Sequence, residues 1–169
     1  MCTEIVRHKS GIKWRNFYGR FKGKSLSARQ HGSLHTEFEK YSLKNISWEE
    51  NSKRKKIKLS EVFNEKSVWL EIGFGGGEHL VHQAKLNPDI GFIGCEPYQN
   101  GVAKLMGKLS ADPRKNIKLY DGDVRNMFDV LAKNSISKVF LLYPDPWPKK
   151  RHHRRRFVTQ EFLAPLYET

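Results

Sequence analysis

Between residues 67 and 143 the sequence alternates short apolar runs with stretches of helical periodicity. The apolar runs predict β-strands at residues 68–72, 91–95, 117–120 and 136–143, and the periodic stretches predict helices at residues 79–87, 99–110 and 124–133. Strands that alternate with helices form right-handed crossovers, and these produce a mainly parallel sheet with helices on both faces. The pattern therefore predicts an α/β, doubly wound fold.

Positive charge is concentrated before this region. Residues 1–60 contain 15 Lys and Arg residues against 5 acidic residues, whereas residues 61–169 contain 16 against 13. Residues 1–35 also lack sustained periodicity. We therefore predict a basic N-terminal arm over residues 1–60, flexible in part, and a doubly wound α/β domain over residues 61–169. Cations grouped in blocks are typical of proteins that neutralise nucleic-acid phosphates, although the same charges could serve solubility alone.

Several other classes of protein are disfavoured by simple features of the chain. The longest apolar run, Val139–Tyr143, is far shorter than the roughly 20 residues of a membrane-spanning helix. Residues 1–10 contain no hydrophobic core of a signal peptide. The two cysteines, Cys2 and Cys95, have neither the number nor the spacing of a disulfide framework or a zinc site. We expect a cytoplasmic protein that binds no membrane and no metal, and a monomer.

The first predicted strand runs into the glycine-rich sequence LEIGFGGGEHL, residues 70–80. Counted from Gly73, Glu78 stands where the dinucleotide fingerprint G-x-G-x-x-G requires its third glycine. The order Glu71, Gly73, Gly75 suits instead a ligand with an ammonium group and no pyrophosphate, because the carboxylate attracts a cation and the glycines admit close backbone approach. S-adenosylmethionine has this chemistry. The alternative is that the glycines serve only a tightly packed turn.

The next two predicted strands also end beside acidic residues. Glu96 follows the second strand, 25 residues after Glu71, close to the ~20-residue offset at which an acid accepts hydrogen bonds from ribose hydroxyls in this architecture. Asp123 follows the third strand and offers an acceptor for the exocyclic amine of an adenine. Each acid alone could be an exposed loop residue. Because the ends of parallel strands meet at one edge of the sheet, the three acids together predict a nucleoside-binding site.

The fourth predicted strand is followed by Y-P-D-P-W-P and then by six Lys and Arg residues between positions 149 and 156. Two prolines restrict the backbone around Asp145, so its carboxylate is held in one pose at the sheet edge and is a candidate substrate contact. Trp147 could stack on a base or could serve packing alone. We favour phosphate contacts for the cations, since a run this dense beside a cleft repels itself without anions.

These motifs together resemble the bacterial tRNA (guanine-N7-)-methyltransferase family. The resemblance is carried by FYGRFKG at residues 17–23, by Arg29-Gln30, by LEIGFGGGEHL, by the strand ends at Glu96 and Asp123, and above all by PDPWPKKRHHRRR at residues 144–156. It implies a Rossmann-like S-adenosylmethionine-dependent methyltransferase fold. It also implies that the target is the variable-loop guanine of tRNA.

The resemblance assigns roles to five candidate residues. Glu71, Glu96 and Asp123 would contact S-adenosylmethionine, Asp145 would be the catalytic residue, and Lys149 would contact the substrate. From the sequence itself we expect Gly73 and Gly75 to contribute to the cofactor site, and the cations Arg151, Arg154 and Arg155 to contact the substrate. Guanine N7 has an in-plane lone pair and carries no hydrogen, so methylation needs no prior deprotonation. We therefore expect the catalytic Asp145 to hold the guanine by its donor edge and to favour the developing positive charge.

One departure from the family pattern concerns length. Family members continue beyond the position of Thr169 with further strands, so we expect a shortened chain whose tRNA site is incomplete. Two other functions stay open: an RNA-binding, catalytically incomplete fragment of such an enzyme, and an S-adenosylmethionine-dependent methyltransferase that acts on a small molecule. The second has no need for the excess of cations in residues 1–60.

Overall fold

The computed structural model of the chain describes residues 17–64 and 67–169. The helices are α1 (Ala28–Tyr41), α2 (Leu59–Phe63), α3 (Glu78–Leu86), α4 (Gln99–Ala111) and α5 (Gln160–Glu168). The strands are β1 (Val68–Ile72), β2 (Gly91–Cys95), β3 (Ile117–Tyr120) and β4 (Lys138–Leu141). Two 3₁₀ helices follow β3 and β4, at Val124–Met127 and Lys150–Arg155.

The four strands form one sheet in the order β3-β2-β1-β4, and every neighbouring pair is parallel. At the carboxyl end, Ile72 of β1 lies in register with Cys95 of β2 and with Leu141 of β4. Cys95 lies in turn beside Tyr120 of β3. The residues that follow the strands therefore meet along one edge of the sheet. The predicted α/β fold with a mainly parallel sheet is confirmed.

Both faces of the sheet are covered, each by its own apolar cluster. The cluster on one face contains Leu70 and Ile93 from the sheet and side chains of α2, of the first 3₁₀ helix and of α5: Phe63, Met127 and Leu166. The cluster on the other face contains Phe92 and Leu119 from the sheet and side chains of α1, α3 and α4: Tyr41, Leu80 and Leu105. Alternate residues of the strands thus enter opposite clusters, which is the geometry of a buried parallel sheet.

The prediction of a helix at residues 124–133 is wrong. The chain there forms the 3₁₀ helix Val124–Met127 and then a turn. Residues 122–131 are all buried, and the backbone N–H of Ile57 donates to the carbonyl of Val130 at 2.8 Å. The apolar pattern therefore reflects burial on all sides of an irregular segment rather than one apolar face of a helix.

Two further element boundaries differ from expectation. The fourth strand covers Lys138–Leu141 instead of residues 136–143. It cannot include Tyr143, whose φ of 51° is incompatible with an extended strand. Helix α1 lies within the predicted arm, where the weak periodicity indicated no helix, and it packs against α4. Residues 1–16 of the predicted arm lie outside the described residues.

Arg54 stands within the basic run at residues 53–56, but it is a buried structural residue. Its guanidinium forms an ion pair with Asp129, and the two side chains are only 9% and 3% exposed. The same group donates to the carbonyl of Ile46 at 2.6 Å and to that of Asn126, and it lies 4.7 Å from the ring centroid of Trp48. Arg54 thereby ties the irregular segment after β3 to the chain before α2.

We expect replacement of Arg54 by alanine to destabilise the protein by about 3–5 kcal/mol, because it leaves the Asp129 carboxylate buried and unpaired. The matched control is Lys44→Ala, which breaks the ion pair with Glu39, a pair in which both side chains are about half exposed or more. That change should cost less than about 1 kcal/mol. Urea unfolding of both variants measures the difference. Equal free energies of unfolding for the two variants would contradict the structural role of Arg54.

Candidate functional site

A cavity of about 610 Å³ opens at the carboxyl ends of the strands. Its size lies within the range of about 300–1,000 Å³ that is usual for small-molecule sites. Its walls come from the segments that follow each of the four strands and from residues 17–20. Six of the residues predicted from the sequence line it: Gly73, Glu96, Asp123, Asp145, Arg154 and Arg155. Four predicted residues do not line it: Glu71, Gly75, Lys149 and Arg151.

The glycine turn after β1 has three residues in left-handed backbone conformations: Gly73 at φ 73°, Gly75 at 55° and Gly77 at 76°. A Cβ atom added at Gly73 or Gly75 would meet nothing within 4 Å, so these two positions need glycine for its backbone freedom rather than for packing. At Gly77 an added Cβ would lie 2.6 Å from Leu105. The packing alternative therefore explains Gly77, while open space remains above Gly73 and Gly75.

Glu96 joins the end of β2 to this turn. Its side-chain Oε2 accepts a hydrogen bond from the backbone N–H of Gly75 at 2.8 Å, and Oε1 accepts one from that of Tyr98 at 2.9 Å. Burial raises the pKa of Glu96 above its ordinary value, and the two backbone N–H groups oppose that shift. Glu96 is thus a buried residue and not an exposed loop acid. Its oxygens retain lone pairs for further donors.

Asp123 is held by a residue that the sequence reasoning missed. It caps the first 3₁₀ helix by accepting a hydrogen bond from the backbone N–H of Arg125 at 3.0 Å. The Nε of Arg125 also donates to both carboxylate oxygens, at 2.9 and 2.8 Å. Both residues are buried, and the Arg125 guanidinium lies 5.1 Å from the ring centroid of Phe162. The sequence feature that could have indicated this ion pair is the spacing of an acid and an arginine two residues apart.

Glu71 lies apart from the cavity lining. Its Oε2 is 2.7 Å from Nδ1 of His79, which belongs to the first turn of α3. The Glu71 side chain is only 4% exposed, and burial raises its pKa, while the bond to His79 acts in the opposite direction. The carboxylate is therefore already satisfied by a neighbouring side chain.

The loop after β4 presents Asp145 as an exposed residue at the cavity rim. Two aromatic residues in this loop have left-handed backbone conformations, Tyr143 at φ 51° and Trp147 at φ 40°. The ring of Trp147 lies 4.9 Å from the Arg155 guanidinium and forms an edge contact with His152 at 5.7 Å. These contacts favour packing over base stacking as the role of Trp147.

Arg155 connects this loop to the N-terminal segment. Its guanidinium lies 4.6 Å from the ring centroid of Tyr18, in addition to its contact with Trp147. Such stacking of a guanidinium on aromatic faces is favourable. The guanidinium thus bridges two segments of the cavity wall that are far apart in the sequence.

A second set of contacts, which sequence reasoning missed, holds the N-terminal segment at the other end. The backbone N–H of Gln99 donates to the carbonyl of Phe21 at 2.9 Å. The side chain of Asn100 accepts from the N–H of Gly23 at 2.8 Å and donates to the carbonyl of Lys24 at 2.7 Å. The start of α4 therefore anchors residues 21–24 and so positions residues 17–20 at the cavity.

Comparison with known proteins assigns this chain to a family. Residues 65–169 match the model of the family described as "Putative methyltransferase". The chain belongs to this methyltransferase family. Curated relatives named "tRNA (guanine-N(7)-)-methyltransferase" are similar to it: the protein of Ruegeria sp. (strain TM1040) is 56% identical over 95% of this chain, and that of Roseobacter denitrificans is 59% identical over 90%. The resemblance drawn from the motifs is confirmed.

The methyltransferase relatives are longer than this chain. The chain spans 63% of the Ruegeria protein and 65% of the Roseobacter protein. Among solved structures, one described as "Structure of an antibiotic related Methyltransferase" aligns at 17% identity and a TM-score of 0.39, over 51% of this chain and 47% of that one. That likeness is too low to bear on the fold, which the parallel sheet and the family match establish.

Within residues 17–64 and 67–169, no helix is both long and apolar enough to cross a membrane. The same part of the chain holds no group of three or more His, Cys, Asp or Glu side chains arranged to bind a metal ion.

Helix α4 contains two glycines, Gly101 and Gly107, which differ in their distance from the glycine turn. A Cβ atom added at Gly101 would lie 2.4 Å from the carbonyl oxygen of Gly75, whereas one added at Gly107 would meet nothing within 4 Å. Gly101→Ala should therefore displace the turn and its bond to Glu96 and should destabilise the protein by about 1–3 kcal/mol. Gly107→Ala should stabilise it by about 0.5–1 kcal/mol.

Urea unfolding of the Gly101 and Gly107 variants tests both values. A stability gain in both variants would show that α4 can withdraw from the glycine turn without loss, which would contradict the tight contact described here.

Proposed function

We propose that the chain transfers a methyl group from S-adenosylmethionine to N7 of the variable-loop guanine of tRNA. The observation that carries the proposal is the joining, in one cavity, of the buried Glu96 carboxylate beside the glycine turn with the exposed Asp145 carboxylate beside a basic cluster. The names of the curated relatives support the same reaction. We place the protein in the cytoplasm as a monomer.

The residues of the cavity fit S-adenosylmethionine in most respects. Glu96 has lone pairs for the ribose hydroxyls, and the open space at Gly73 and Gly75 admits the close approach of a ligand. Asp123 would accept the adenine amine with the lone pairs that Arg125 leaves. A direct contact of Glu71 with the ammonium group requires the carboxylate to give up its bond to His79.

When bound, S-adenosylmethionine supplies an electrophilic methyl group on a sulfonium. Guanine N7 has an in-plane lone pair with which it could accept a methyl group, and the base would gain a positive charge on accepting it. No proton has to leave N7, so Asp145 is not required as a base. Its carboxylate can accept hydrogen bonds from the donor edge of guanine and favour the charge that develops on the base.

The basic cluster would hold the tRNA backbone around the target base. Lys149, Arg151 and Arg154 are exposed on the second 3₁₀ helix or just before it, and Arg154 and Arg155 reach the cavity. N7 of a paired guanine is hidden in the deep, narrow major groove of an RNA helix, so the target must lie in a loop or be turned out. Exposed cations beside Asp145 suit phosphates on either side of such a base.

We expect this chain to transfer labelled methyl groups from S-adenosylmethionine to tRNA, and Asp145→Asn to reduce turnover by about 100-fold, because the developing positive charge loses its carboxylate. The affinity for the cofactor, measured by calorimetry, should change little, since Glu96 and the glycine turn are untouched. Asp89→Asn is the matched control: this exposed residue precedes β2, at the opposite end of the sheet.

The outcomes separate the possible functions. Cofactor binding without methyl transfer would contradict the activity and indicate an incomplete enzyme, and tRNA binding with neither would indicate an RNA-binding fragment. Transfer to small molecules but not to tRNA would indicate the third function. Full turnover of the Asp145→Asn variant would remove the role assigned to that residue.

Salt concentration should affect tRNA binding. The affinity should fall as salt rises, and the magnitude of the negative slope of log K against log [salt] should decrease by about 0.7–0.9 for each phosphate-contacting cation that is removed. Lys149→Ala and Arg151→Ala should each show this decrease in filter-binding titrations. Lys115→Ala, which removes an exposed cation just before β3 and far from the cavity, should not. Slopes unchanged in all three variants would exclude the cluster as the phosphate-binding surface.

A further inference from the structure

The loop that carries Asp145 has few backbone N–H groups to donate hydrogen bonds, because three of its five residues from 144 to 148 are prolines. Side chains of the basic residues that follow approach carbonyl groups of this loop. Arg156 donates from Nε to the carbonyl of Pro146 at 2.9 Å and from Nη2 to that of Trp147 at 3.3 Å. His153 places Nε2 at 3.3 Å from the carbonyl of Pro148.

The same loop contains backbone conformations that bulky residues rarely adopt. Tyr143 and Trp147 have φ values of 51° and 40°, and each is followed directly by a proline. Such conformations persist only when surrounding contacts hold them. Asp145 lies midway between the two residues, so the direction of its side chain depends on how firmly they are held.

The side chain of Arg156 has the geometry to hold the loop in this conformation. Its planar guanidinium spans two successive carbonyls, which the single ammonium group of a lysine cannot do in the same geometry. Its own backbone is fixed as well, because its N–H donates to the carbonyl of His153 at 3.1 Å at the end of the second 3₁₀ helix. Arg156 is half-buried and is not among the residues that line the cavity.

Three other cations of the basic cluster differ from Arg156 in exposure and in hydrogen bonding. Lys149, Lys150 and Arg151 are exposed. Within the described part of the chain, neither Lys149 nor Lys150 takes part in an ion pair or a side-chain hydrogen bond, and Arg151 contacts only the ring of His152, at 3.3 Å. The cluster therefore contains cations exposed to solvent, Arg155, which stacks on the Trp147 ring, and Arg156, which donates to the loop carbonyls.

We propose that Arg156 is a positioning residue, which holds the loop at residues 143–148 in the conformation that presents Asp145 to the cavity and makes no contact with tRNA phosphate. The structural part of this proposal stands by itself. The part that concerns turnover rests on the function proposed above for Asp145. The basic pattern of the sequence favours the opposite role, a phosphate contact, so the two roles can be set against each other.

The first experiment measures the loop directly. The protein contains four tryptophans, and incorporation of 5-fluorotryptophan gives each a ¹⁹F resonance, of which Trp147→Phe identifies one. Arg156→Lys should shift or broaden the Trp147 resonance and leave that of Trp69, which lies in β1, unchanged. Arg156→Ala should have the same effect. Lys150→Arg, the matched control on the exposed side of the cluster, should leave both resonances unchanged.

The second experiment uses turnover and salt dependence. Arg156→Lys should lower kcat by about 10- to 100-fold, since small displacements of a positioning group have effects of that size. The slope of log K against log [salt] for tRNA binding should stay at the wild-type value in both Arg156→Lys and Arg156→Ala. If Arg156 contacts a phosphate, Arg156→Ala should instead decrease the magnitude of this negative slope by about 0.7–0.9, and Arg156→Lys should keep both the slope and the turnover of the wild type.

Each outcome decides the proposal. The proposal would be overturned by a Trp147 resonance that is unchanged in both variants, or by a less steep dependence of log K on log [salt] in Arg156→Ala. A displaced resonance with an unchanged slope would support it. If the wild-type chain transfers no methyl group or binds no tRNA, the proposed function fails, while the Trp147 resonance still decides whether Arg156 holds the loop. Circular dichroism of each variant checks that the fold is intact, and Arg156→Lys provides the milder change if Arg156→Ala does not fold.

Discussion

The parallel register of the four strands is the constraint on which the rest of the molecule depends. Because Ile72, Cys95, Tyr120 and Leu141 end at the same edge of the sheet, the segments after all four strands converge there. Glu96 then closes the arrangement, since its carboxylate accepts from the N–H of Gly75 in the neighbouring turn. The cavity is a consequence of strand alignment, and its precise shape depends on a few buried hydrogen bonds.

Arginine has several physical roles in this protein that the net charge conceals. Arg54 is buried in an ion pair with Asp129, and Arg125 holds Asp123 at the cavity wall. Arg155 stacks between two aromatic rings, and Arg156 donates to two carbonyls of the loop. The positive charge available to a polyanion is therefore smaller than the count of basic residues indicates, and it is concentrated on exposed cations such as those around Arg151.

Much of the fold could be predicted because apolar periodicity reports burial. Strands β2 and β3 lie at the predicted residues, and α3 and α4 differ from prediction by a single residue at their ends. The predicted helix after β3 does not exist, because periodicity cannot distinguish one buried face from burial on all sides. Of the candidate site, the acids after β2 and β3 were predictable from their position. The His79 partner of Glu71 was not, since it depends on how α3 packs against β1.

The sequence by itself determined the alternation of strands and helices, the glycine-rich turn after the first strand, and the membership of a methyltransferase family, because these depend on local chemistry and on motifs contiguous in the chain. Only the tertiary structure decided which charged side chains face the cavity and which form ion pairs or hydrogen bonds inside the protein. The physical reason is that a carboxylate or guanidinium binds whichever group the fold brings within about 3 Å, and such a partner can be distant in the sequence. Arg54 and Asp129, 75 residues apart, are the clearest example.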